Sequence, residues 1–65
     1  MTSKQVVKIR EVLDLTQQQL ADLIGAQQST VARWELGQNE PRGANLQALR
    51  ELSEKAKRKQ NRKTR

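Results

Sequence analysis

An all-α fold is what this sequence predicts: a compact bundle of four helices, with five as the alternative, carrying a basic C-terminal tail. Three observations point there. Apolar residues recur at helical spacing in four separate stretches, and no stretch alternates with the period of a strand. Helix-start residues precede the first two stretches, and a glycine follows the second and the third. At 65 residues the chain holds one domain. A chain of that size buries only about 60% of its unfolded surface, so the core is small.

The first helix is expected from Ser3 to Leu13, with Thr2 or Ser3 as its cap and with Val6, Ile9 and Leu13 on one face. Asp14 and Leu15 break it. Thr16 opens the second helix, and Gln19 three residues later completes a capping box. Leu20, Leu23 and Ile24 form its buried stripe, and Gly25 ends it in a left-handed conformation. The third helix spans Gln28 to Leu36, turns Val31 and Trp34 inward and stops at Gly37. Gln27 sits at its cap position, where glutamine is a poor cap. Gln38 to Gly43 form a loop around Pro41, which lacks a backbone donor. The fourth helix starts near Ala44 with Leu46, Leu49 and Leu52 as its apolar positions. The i,i+4 pairs Glu51–Lys55 and Glu54–Arg58 carry it toward Lys59, with fraying beyond.

Charge divides the chain more sharply than hydropathy does. The net charge is +6, and seven of the 13 basic residues lie in residues 55–65, where no acid is found. Residues 1–54 contain all seven acids and are slightly negative on balance. Residues 1–54 are therefore read as the domain, and 55–65 as an extension, helical at first and then disordered. A basic run is commonly a solvated end, and it is also a common footprint of polyanion binding. With no cysteine and no histidine, the chain lacks thiolate metal ligands, disulfides and the usual base at neutral pH. No phosphate-cradling loop is present, so no enzyme, metal or cofactor is expected. Nor is a small-molecule effector. The longest apolar runs are two residues, which excludes a membrane span. The absence of cysteine suits a reducing cytoplasm.

Two short helices joined at a glycine form one unit. Ala21 allows a close crossing, and Leu20, Ile24, Val31 and Trp34 fill the wedge between the helices. The pattern Leu15-Thr16-Gln17, Leu20-Ala21, Ile24-Gly25, Ser29-Thr30-Val31, Arg33-Trp34-Glu35 and Gly37, followed by Pro41, Leu46 and Leu49, resembles the lambda-repressor and Cro-like helix-turn-helix family. The resemblance covers about residues 4 to 53.

The resemblance implies that the third helix enters the major groove of double-stranded DNA with its N-terminal residues at base edges. Gln28, Ser29, Ala32 and Arg33 occupy the face opposite Val31 and Trp34, and Gln27 has a side chain free to join them. Glutamine pairs bidentately with adenine and arginine with guanine. The resemblance places Gln17 on a phosphate and against Gln28. It gives Asn39 and Arg42 backbone contacts, and it joins Arg10 to Glu35 in a partly buried structural salt bridge; Thr16 and Thr30 are read as further phosphate contacts. Lys55, Lys57, Arg58 and Lys59 are expected to add phosphate contacts from the tail. Arg10, Glu35, Ala21, Gly25, Val31 and Trp34 are read as structural.

The function so implied is a sequence-specific transcriptional regulator. The reading is a dimeric repressor of its own phage, plasmid or mobile-element operon, bound to an inverted repeat at the nucleoid. The alternative is an antitoxin-type module that binds DNA and also a protein partner. A nonspecific RNA binder fits less well, because stacking needs aromatic platforms and Trp34 is the lone aromatic.

Overall fold

Each of the first two helices begins with the same device. In the computed structural model, which describes the backbone of residues 1–63 and the side chains of residues 1–59, Thr2 caps α1 (Ser3–Val12) and Thr16 caps α2 (Gln17–Ile24). Each threonine hydroxyl accepts from the amide three residues on, and Gln5 or Gln19 accepts in return from the threonine amide. Both reciprocal boxes satisfy amides that a helix start leaves without partners. Between the helices, Asp14 takes φ 60°, and the amides of Asp14 and Leu15 donate to the carbonyls of Glu11 and Arg10. Aspartate is among the few non-glycine residues that visit this region readily.

Gly25 ends α2 with φ 75°, and Gly37 ends α3 (Gln28–Leu36) with φ 82°. Both positions need a left-handed backbone, which only glycine adopts without steric cost. Gln27 caps α3 with no side-chain hydrogen bond, as its poor capping chemistry predicts. The last helix, α4 (Gly43–Lys63), continues past Lys59, where the expected helix frays. Lys, Glu, Arg, Ala and Gln are all strong helix formers, and no glycine or proline interrupts residues 44–63. The expected i,i+4 pairs are not formed. Glu54 faces Lys57 instead, at 3.9 Å. Thr64 and Arg65, the end of the tail expected to be disordered, lie outside the described residues.

The core is a single cluster of Val6, Leu20, Ala21, Val31, Trp34 and Leu49, drawn from all four helices. Met1, Leu15, Ile24, Ala26 and Leu52 pack around it. α2 lies chiefly on α3, while α1 bridges α3 and α4. Ala56 is also buried, so helix packing extends beyond the charge boundary at residue 54. Leu23 departs from expectation, because it is 61% exposed. The buried arc of α2 is centred on Leu20, Ala21 and Ile24, and at about 100° per residue Leu23 falls on its outer flank.

Candidate nucleic-acid interface

Ala21 has no exposed surface, and its small side chain lets α2 cross close to α3. Val31 and Trp34 anchor the inner face of α3 in the same core. With that face fixed, Gln28, Ser29 and Arg33 are exposed on the outside of the helix, and Ala32 is half-buried beside them. Gln27 is exposed at the helix start. The described residues hold no ion pair for Arg33, so its guanidinium is free for an external acceptor.

Behind this face runs a chain of side-chain hydrogen bonds. Gln28 Nε2 donates to Gln17 Oε1 at 2.6 Å, and Gln17 Nε2 donates to Glu35 Oε1 at 2.9 Å. Glu35 also accepts from two of the three nitrogens of Arg10, Nε at 2.6 Å on Oε2 and Nη2 at 3.1 Å on Oε1. The third, Nη1, donates to the Leu15 carbonyl at 3.1 Å. The hydrogen bond and charge of Glu35 raise the Arg10 pKa above its ordinary value, against the opposing effect of burial. This guanidinium ties the end of α1, the α1–α2 turn and α3 together. The Arg10–Glu35 pair and the Gln17–Gln28 contact both have the form the resemblance implied.

The profile of the helix-turn-helix family, lambda-repressor and Cro-like, matches residues 6–52, most of the chain. The chain belongs to that family. Its members are DNA-binding transcriptional regulators, so double-stranded DNA is the class of partner. No curated protein and no solved structure matches the chain.

Within this helix-turn-helix domain the candidate phosphate contacts fall into separate groups. Thr16 and Gln17 stand at the start of α2, where the Thr16 oxygen serves the cap and its hydroxyl hydrogen remains a donor. Thr30, Asn39 and Arg42 line one open cleft beside α3. Gln38 and Asn45 line the same cleft, and neither was singled out from the sequence. No motif marks them, because the cleft exists only when the loop folds back beside α3. Glu40 also borders it and opposes an anion there. Lys55, Lys57, Arg58 and Lys59 are all exposed on α4. Lys57 borders grooves beside Met1 and beside Gln5 of α1, not the cleft beside α3. The described residues contain no cluster of His, Cys, Asp and Glu able to hold a metal. No helix among them is long and apolar enough to cross a membrane.

Proposed function

We propose that this helix-turn-helix chain is a transcriptional repressor that binds an inverted repeat as a dimer, reading the major groove with α3. The observation that carries this reading is the outer face of α3. Gln28, Ser29, Ala32 and Arg33 lie on it, Gln27 stands exposed at its start, and Gln28 is held from behind by Gln17. A well-placed glutamine or arginine discriminates among bases by about 1–3 kcal/mol. One such helix reads few bases, so two copies on a two-fold site double the contacts. Their half-sites should lie about 10–10.5 bp apart, one helical turn along the same face of the duplex.

Thr16, Gln17, Thr30, Asn39 and Arg42 supply the backbone contacts that position α3. The exposed cations Lys55, Lys57, Arg58 and Lys59 add electrostatic affinity without sequence preference. Repression follows from occupancy of a promoter, which needs no effector domain. The site of action is the nucleoid of a prokaryotic or phage-infected cell.

Selection of bound duplexes from a random library tests the whole reading at once. The expected product is a symmetric site with the stated spacing, bound by two copies in sedimentation analysis. Enrichment of no sequence would sink it. A single, unsymmetric half-site bound by one copy would remove the dimer.

A further inference from the structure

The Arg10–Glu35 pair can be read as purely structural, but its geometry does something more specific to Gln28. A carboxylate only accepts hydrogen bonds, whereas a glutamine amide donates at one end and accepts at the other. Glu35 Oε1 is therefore a fixed acceptor at the start of the chain. The side chain of Glu35 is only 8% exposed, and both its oxygens are held by Arg10. Gln17 must turn its Nε2 toward this oxygen, as it does at 2.9 Å. The reverse orientation would set two acceptors against each other. Oε1 of Gln17 then faces outward, and Gln28 has to meet it with its own Nε2, at 2.6 Å. Each amide thus inherits its direction from the carboxylate behind it, and chained hydrogen bonds of this kind reinforce one another.

We infer that Glu35 is a positioning residue for base recognition: through Gln17 it fixes which end of the Gln28 amide is spent inside the protein and which groups are left to face a base. One N–H of Gln28 is consumed. The carbonyl oxygen and the second N–H remain, an acceptor and a donor side by side. In the major groove adenine presents the complement, an N7 acceptor and an N6 donor, whereas guanine presents two acceptors, N7 and O6. A reversed amide would spend its oxygen on Gln17 and offer two N–H donors, the complement of guanine. Glu35 therefore selects adenine over guanine without touching DNA. This rests on the reading of α3 as the base-contacting helix.

The test compares the wild type with Glu35→Gln and Gln17→Met. Glutamine at 35 can present either end, so the direction is no longer imposed. Methionine at 17 cuts the relay in the middle and leaves the Arg10–Glu35 pair intact, so an unchanged ratio in Gln17→Met overturns the proposal even if Glu35→Gln fails to fold. Side-chain amide NMR spectra of the free protein are read first. In the wild type, one proton each on Gln17 and Gln28 should be protected from exchange with water, and the protection of Gln28 should fall in Glu35→Gln and vanish in Gln17→Met. Library selection is read second. At the base that Gln28→Ala randomises, preference for adenine over guanine should fall about tenfold in both variants, the worth of one good hydrogen bond, with other positions unchanged. Free-amide behaviour of Gln28 in the wild type overturns the relay. So does an unchanged adenine-to-guanine ratio in the variants. If the wild type selects no sequence, the interface reading fails, and the NMR measurement still decides the relay on its own.

Discussion

Trp34 is 3% exposed and touches the cluster formed by all four helices. Truncating a buried aromatic costs about 3–5 kcal/mol, so Trp34→Ala should abolish or sharply lower the thermal transition seen by circular dichroism. A melt matching the wild type would remove Trp34 from the core. Arg10→Met leaves Glu35 charged in a nearly buried site with only Gln17 as partner. A stranded charge of this kind costs about 3 kcal/mol, which denaturant titration would measure. On the opposite face, Gln28→Ala and Arg33→Ala should each weaken specific binding by about 1–3 kcal/mol and relax one base position, with folding unaffected. Titration against the selected site and its single-base variants separates these effects. Trp34, Val31, Gln28 and Arg33 were legible in the sequence because a helix of fixed period sorts its residues into an inside and an outside. Leu23 was misread for a related reason. Periodicity gives the angle of a side chain, not the width of the arc that a neighbouring helix covers.

At the scale of the elements, the caps carry separable amounts of stability. Thr16→Ala removes the acceptor for the Gln19 amide and should cost about 1 kcal/mol. Gln27 offers no side-chain hydrogen bond to α3, so Gln27→Ser should move in the other direction, by about 0.5–1 kcal/mol. Both changes are read as shifts of the urea midpoint at constant slope. A null effect of Gln27→Ser would mean that the first amides of α3 already have partners. The start of α2 and the ends of α2 and α3 follow from local chemistry, a threonine box at the first and left-handed glycines at the other two. The far end of α4 does not. Most residues there favour helix, and no glycine or proline occurs before Lys63, so local reading placed the end too early.

For the whole molecule, charge and shape are distributed differently. The helix-turn-helix region is close to neutral, and the excess positive charge begins at Lys55 on the exposed part of α4. Replacing Lys55, Lys57, Arg58 and Lys59 together by Gln should keep the helix while removing its charge. The slope of log K against log salt should then become shallower by about 0.9 for each cation that meets a phosphate, with the selected sequence unchanged. Truncation after Glu54 is the poorer experiment, because it also removes the buried Ala56. An unaltered slope would show that α4 stays clear of the DNA.

What the sequence determined by itself was the set of four helices, the helix-turn-helix unit and the face of α3 that stays outside the core. These follow from period, caps and glycine turns, all of which act within a few residues of one another. Tertiary structure alone decided the cleft shared by Thr30, Asn39 and Arg42, the exposure of Leu23, and the Gln17–Glu35 bond that joins the two expected pairs into one chain. The physical reason lies in separation along the chain. Gln17 and Glu35 are 18 residues apart. Distances of that kind have no local signature. They exist once three helices have been packed at fixed angles, and only then does the direction of one buried carboxylate reach the surface of α3.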